Sequence, residues 1–275
     1  MVGAGASLYC ALALGMPWYV CLIAAMAAGA IAGSISGLLK AFCNVNEVIS
    51  CIMLNWISLY GVNMLLTLVK EDSSPYTKNI KNVNPSALLP NAGMDKLFGD
   101  NQYMTIAVPL AIVAAILVWV LLSKTKLGYE LKATGNNKHA AKYAGMQENR
   151  NLILTMAIAG GLAGMAAALL YLTGFEQWSC SQSSVPGMGF NGIAAAFLGG
   201  LNPIGSIFAS YFIQHITAGG AYVDKTMYCA QVSDFISSII IYLCGFVLFV
   251  KVFMNSRIAR SEEKKAARAG KGGTN

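Results

Sequence analysis

The chain has 275 residues, 56% of them apolar and only 11% charged, with a formal net charge of +7. Soluble domains carry roughly 25% charged residues, so an ordinary soluble domain is excluded and several membrane spans are expected. The positive charge sits in clusters, which speaks to topology and anionic lipid; no aromatic–basic interleaving marks a nucleic-acid surface.

Residues 1–14 are small and apolar, too short for a span of ~20 residues and without the basic start of a signal peptide. A half-span and the inner part of a longer helix both fit, and Gly15-Met16-Pro17 breaks it. Residues 17–39 are uncharged, with Pro17 where a helix start tolerates it and Gly29, Gly33 and Gly37 recurring every four positions. That spacing predicts a glycine stripe that lets a second helix approach closely, or a lipid-facing helix with incidental glycines. A polar break at 40–47 precedes the uncharged run 48–69, which holds Asn55 and Asn63. Eight apart, the two amides share a helix face to within about 80°. Either they line a solute path or they bond a neighbouring helix.

Residues 70–103 are polar with balanced charge, and 104–123 form the next span. The basic segment 124–150 follows, with six basic and two acidic residues between two apolar runs. Asn136-Asn137 is expected to cap a short helix over 138–144, and Gly145 to end it in the left-handed conformation. Ala140, Ala141 and Ala144 give that helix a small-residue face, and Lys138 and Lys142 a cationic one. Such a helix suits another protein's groove; the alternative is a solvated loop that only fixes topology, with His139 solvated in it.

Residues 151–174 form a further span, with Gly160 and Gly164 four apart. A polar loop, 175–188, leads to 35 uncharged residues at 189–223. One helix of that length would measure ~52 Å, against a ~30 Å hydrocarbon core. Gly199-Gly200-Leu201-Asn202-Pro203 divides it into a half-helix at 190–198 and a helix near 204–217, a broken element of the kind that borders protein or a wet cavity. Gln214 and His215, near one end of that helix, either line the path or pair with a neighbour. Residues 231–250 are the last span, with Asp234 near its first turn, and 251–275 a basic tail.

Placing 124–150, the tail and Lys40 inside puts 14 of 19 basic residues in the cytoplasm. The parity closes if 189–223 dips in and returns. A half-span before a span in two places points to internal duplication. The expectation is therefore an all-α, polytopic transmembrane helical bundle with broken or re-entrant half-helices and an inverted internal repeat. Its membrane domain covers 1–254, and 255–275 are a basic cytoplasmic tail.

Little in the chain speaks for catalysis. Seven scattered cysteines without a CxxC argue against a metal site, and most read as small buried apolar residues. Cys180 and Cys229 fall on the outer side, where a disulfide needs their Cα atoms within ~7 Å. Residues 187–192 match G-x-G-x-x-G but lack the strand and βαβ unit that give the motif meaning; no P-loop and no nucleophile–base set can be assembled.

Gly128-Tyr129-Glu130-Leu131-Lys132-Ala133-Thr134-Gly135-Asn136-Asn137-Lys138-His139-Ala140-Ala141-Lys142-Tyr143-Ala144-Gly145 resembles the cytoplasmic coupling loop of ABC-transporter permeases for nucleosides and simple sugars. That family partners binding lipoproteins of the basic-membrane-protein type and lies in the branched-chain-amino-acid/ribose-type permease superfamily. Val45-Asn46-Glu47-Val48-Ile49 with Met53-Leu54-Asn55-Trp56-Ile57 resembles its VNEVI…MLNYI segment, with Trp56 where Tyr is usual. Gly189-Phe190-Asn191-Gly192-Ile193 with Asn202-Pro203-Ile204-Gly205 resembles GFDGI…NPLG, with Asn191 where Asp is usual. Family members carry further segments and an NIGxEGQ-like stretch before the point where this chain starts, so a truncated or mis-started permease is expected.

The resemblance implies a multi-pass bacterial plasma-membrane subunit that is not an enzyme. It works with cytoplasmic ATPase subunits that bind the ATP, a second permease in a homo- or heterodimer, and an extracytoplasmic lipoprotein that delivers the solute. No cofactor is bound by the chain itself, and membrane lipid, not nucleic acid, surrounds it. Gly128, Glu130, Gly135, Asn137, Ala140, Ala141, Tyr143 and Gly145 are the expected ATPase-coupling residues; Asn55, Asn63, Gln214 and His215 are the candidates for the substrate pathway. Nucleosides lead as substrate, with sugars or another small polar solute next and an ATP-independent channel or carrier as the alternative class.

Overall fold

The computed structural model describes residues 1–91, 93 and 105–219, with isolated positions beyond 219. The chain divides into two units, Met1–Val185 and Pro186–Asn275, each described by itself. All regular structure among the described residues is helical apart from two isolated β-bridges. Among the described residues four helices are long and apolar enough to cross a membrane: Trp18–Cys43, Glu47–Val69 including a 3₁₀ turn, Ala107–Lys124 and Glu148–Tyr171. They match the first four expected spans, 17–39, 48–69, 104–123 and 151–174, in order and place.

In the first unit α1 (Val2–Leu12) is the short inner helix, burying Gly3, Ala4, Gly5, Ser7, Leu8 and Ala11 against the helices around it. Gly15, at φ +64°, turns the chain into Pro17, which precedes α2 (Trp18–Cys43). Asn44, left-handed at φ 51°, ends α2; the Asn46 side chain accepts from the Val48 N–H and starts α3 (Glu47–Leu66). Across this turn the Lys40 ammonium meets the Glu47 carboxylate at 2.6 Å.

The glycine stripe is real, and its partner is α8 (Glu148–Tyr171). A Cβ on Gly29 would land on the Gly160 carbonyl, and one on Gly33 on the Met156 carbonyl. One on Gly164 would strike the Ala25 carbonyl, and one on Gly3 would strike Gly164 itself. Partner numbers fall along α8 as they rise along α2, so the two helices run antiparallel at backbone contact. With no side chain between them, the pair is held by close van der Waals packing, the usual source of helix association in lipid.

α3 is different: it buries Ser50, Leu59, Val62, Asn63 and Leu66 and leaves Ile52, Met53, Trp56, Ile57, Tyr60 and Met64 exposed. Two short elements, α4 (Ile80–Val83) and a 3₁₀ turn at Pro85–Ala87, follow it. α5 (Ala107–Lys124) buries no residue at all, though Leu110 and Ala114 lean on the core. It continues into α6 (Lys126–Asn136) and α7 (Lys138–Tyr143), which lead back to α8.

In the second unit, α9 (Met188–Leu198) and α10 (Pro203–Gly219) form a small pair around Ala194, Ala195, Ala209 and Ile213. The expected break between half-helix and helix is there. A Cβ on Gly199 would hit the Ser206 nitrogen; Gly200 and Leu201 are left-handed at φ +66° and +58°; the Asn202 side chain accepts from the Ile204 N–H at 3.0 Å. Both places where a half-span was expected share one order: an 11-residue helix, a glycine-containing break, then a longer helix of 26 or 17 residues. The expected last span at 231–250, Asp234 and Cys229, and the tail at 255–275 lie outside the described residues save for isolated positions.

Candidate functional site

At one end of the first unit the basic segment forms two helices where the sequence led us to expect one. Thr125 starts the first: its hydroxyl donates to the Leu121 carbonyl at 2.6 Å and accepts from the Gly128 N–H at 3.1 Å. Gly128 makes the sharp return possible, because a Cβ there would collide with the Leu121 carbonyl and the Leu122 backbone. Within α6, Lys126 and Glu130 pair loosely at 3.8 Å, and only Gly128 and Thr134 are buried. Gly135 has open space around it.

Asn137 is the cap of α7, its Oδ1 accepting from the His139 and Ala140 N–H groups, both at 3.1 Å. Gly145, at φ +79°, ends the helix, and the Gly145 and Met146 N–H groups return to the Lys142 and Ala141 carbonyls. Ala141 is 3% exposed and holds α7 down, while Tyr143 is 95% exposed. Lys138, His139, Ala140, Lys142 and Ala144 are exposed too. The expected small-residue face therefore splits, Ala141 turning inward and Ala140 and Ala144 outward. A short capped helix offering alanines and a projecting tyrosine is suited to docking, since an aromatic buried on association contributes much of the energy of an interface.

One contact from α8 and one within α6 fix this element. Asn151, 2% exposed near the start of α8, donates from Nδ2 to the Thr134 hydroxyl at 3.0 Å, and that hydroxyl donates on to the Glu130 carbonyl at 2.7 Å. A cavity of about 620 Å³ lies beside it, walled by Phe42 from the end of α2, Lys142, Met146 and the first turns of α8. Thr125 carries a readable helix-start signal, a hydroxyl three residues before Gly128. Thr134 and Asn151 carry none, because their meeting depends on how α6 returns to α8.

The four pathway candidates fare differently. Asn55 stands exposed on α3, and its side chain makes no hydrogen bond among the described residues. It borders a cavity of about 190 Å³ with Ser36, Cys51 and Ser58, floored by backbone at Gly29, Gly33, Gly160 and Gly164. Asn63 is occupied: its Oδ1 accepts from the Trp178 indole N–H at 2.8 Å and its Nδ2 donates to the Gln182 carbonyl at 2.9 Å. The two amides thus have separate surroundings. Gln214 and His215 lie exposed on α10, in the second unit, with the His215 ring stacked on Tyr211 at 5.4 Å.

Asn63 belongs to a cap at the other end of the first unit. Trp178 is 1% exposed, and its carbonyl accepts from the Thr77 N–H at 2.9 Å. The Cys180 N–H reaches the Pro75 carbonyl, and Asn84 donates to the Ala11 carbonyl left open where α1 ends and to the Met16 carbonyl in the turn that follows. Lys81 lies over the Phe175 ring at 4.3 Å. Burial pushes the Cys180 thiol above its ordinary pKa, with Lys70 pulling weakly the other way, so it is held as the less reactive thiol.

The family described as branched-chain amino acid transport system / permease component matches residues 1–245. Among curated relatives, the guanosine ABC transporter permease protein NupP of Bacillus subtilis is 33% identical over 88% of this chain and 69% of its own. The nucleoside ABC transporter permease protein NupB of Lactococcus lactis is 32% identical over 91% of this chain and 68% of its own. The glucose ABC transporter permease protein TsgB13 of Haloferax volcanii is 26% identical over 82% and 60%. No solved structure matches the chain with significance.

Proposed function

Because the chain belongs to the branched-chain amino acid transport system permease family, we propose that this multi-pass membrane protein is the permease subunit of an ATP-driven importer of nucleosides in a bacterial plasma membrane. The choice of nucleosides is supported by the two relatives at 33% and 32% identity, both named for nucleoside or guanosine transport. The glucose permease, at 26%, keeps simple sugars as the second reading. The ligand bound by the cognate lipoprotein separates the two.

The observation that carries the importer reading is α7: a capped helix fixed through buried Ala141, with Ala140 and Tyr143 free to meet a partner. In this reading α6 and α7 face the cytoplasm, where the positive charge favours them, and dock on ATPase subunits that bind the ATP. A second permease subunit covers exposed apolar surface such as that of α3, and a lipoprotein approaches the opposite end, where Trp178 is tucked in. ATP-driven closure of the ATPases shifts α7 and selects one of two arrangements of the membrane helices. Asn55 faces the solute in this scheme, because an amide at mid-span needs protein or water against it. Asn63 serves the pathway indirectly, by fixing the loop at its mouth.

The test is Ala140→Asp in cells that take up labelled guanosine. We expect uptake to vanish while the chain stays in the membrane at its normal level, since a carboxylate would have to enter a closely packed interface. Normal uptake in that variant would rule out docking at this face.

A further inference from the structure

We propose that the buried Thr134–Asn151 hydrogen bond is the joint through which the docking element moves the membrane helices, which makes Thr134 and Asn151 positioning residues. The proposal rests on the importer reading above.

Two membrane helices hold α6 and α7, but they are not equal carriers. α5 buries no residue, so a pull on it moves a helix with little packed against it. α8 buries Asn151, Gly161, Gly164, Met165, Ala168 and Leu169 and meets α2 backbone to backbone at Gly29–Gly160 and Gly33–Met156. Close-packed contacts of that kind have no flexible side chain to absorb a shift, so they pass it on. Along this route α8 also reaches α1 at Gly3 and borders the cavity beside Asn55 through Gly160 and Gly164.

The joint sits where that helix begins. Within α6 the buried residues are Gly128, set against α5, and Thr134, set against α8. The Thr134 hydroxyl works in both directions, accepting from Asn151 and donating to the Glu130 carbonyl within α6. Asn151 is 2% exposed, so water does not compete for its amide, and the bond is stronger than the same pair would be in water. Its backbone is engaged as well, the Asn151 carbonyl accepting from the Thr155 hydroxyl at 2.8 Å. Besides the short connection at 144–147, a displacement of the docking element therefore reaches α8 through an oriented side-chain contact from α6, a turn from the start of α8.

A purely structural polar pair would leave coupling alone, and one pair of variants tells the two apart. Thr134→Val keeps the shape and loses the hydroxyl; Thr134→Ser keeps the hydroxyl. The full chain is reconstituted in liposomes with its partner permease, ATPases and lipoprotein, and tritiated guanosine uptake and ATP hydrolysis are measured together. We expect Thr134→Val to assemble and hydrolyse ATP near the wild-type rate while uptake per ATP falls about tenfold, within the usual range of a coupling between sites. Thr134→Ser should restore the ratio. Amide exchange over 126–136 should rise in Thr134→Val while that of the α2–α8 contact stays unchanged.

Uptake and hydrolysis falling in proportion would assign the pair a structural role and overturn the joint, as would an equal loss in Thr134→Ser. ATP-driven uptake as tightly coupled in Thr134→Val as in wild type overturns the joint alone. Wild-type liposomes without ATP-driven uptake would sink the importer reading, and the joint's role with it.

Discussion

The two ends of the first unit handle polar residues in opposite ways. At the end with Trp178, polar groups turn inward: Asn63 of α3 and Thr77 and Asn84 of the following segment are buried, and their bonds close the ends of α1 and α3. At the basic end most polar side chains of α6 and α7 turn outward and Tyr143 projects, while Thr134, Asn151 and one carboxylate oxygen of Glu148 are buried. The first arrangement satisfies itself; the second leaves a surface whose partners must come from elsewhere. A buried donor or acceptor is costly without a partner, so a segment that buries its amides gives up mobility and free surface together.

The contrast is broken most directly by truncating an aromatic at each end. Trp178→Ala should cost about 3–5 kcal/mol, as large core truncations do, and should leave Asn63 half-unpaired. Thermal unfolding in detergent should show a drop of many degrees. Tyr143→Ala should leave the transition within about a degree, because surface changes rarely exceed ~0.5 kcal/mol, yet it should weaken capture of the ATPase. Equal destabilisation at both positions would erase the distinction between the ends.

A smaller effect sharpens the account of the basic end. Asn137→Ala removes the cap of α7 and should cost about 1 kcal/mol locally. Amide exchange at 138–143 should accelerate severalfold, with α2 and α8 unaffected. If exchange there is unchanged, Asn137 is not what starts the helix.

The smallest effect concerns charge. Lys126 is 89% exposed and 3.8 Å from Glu130, so Lys126→Ala should change stability by no more than a few tenths of a kcal/mol. A shift of several degrees would mean that the basic end is held by its ion pairs and not by Gly128, Thr134 and Ala141.

Much of this was legible in the residues alone, and it was the local part. The four described spans follow from the length of uncharged runs, the start of α7 from Asn137, its end from Gly145, and the break before α10 from the Gly-Gly-Leu-Asn-Pro turn. Each signal acts through neighbours a few residues away, so sequence order is enough to read it. α6 was missed because its two glycines and three charges obscure a helix that packing against α5 at Gly128 and against α8 at Thr134 stabilises.

What only the tertiary structure decided was partnership. The sequence placed glycines at 29, 33, 160 and 164, but it took the antiparallel packing of α2 and α8 to set one stripe against the other. It showed two amides on α3 near one face; the fold gave Asn63 to Trp178, 115 residues away, and left Asn55 at a cavity wall. It held no sign that Thr134 and Asn151 would meet. Helix propensity, caps and breaks are properties of a few adjacent residues, whereas a hydrogen bond or a backbone contact across the chain exists only after packing has chosen which faces come together.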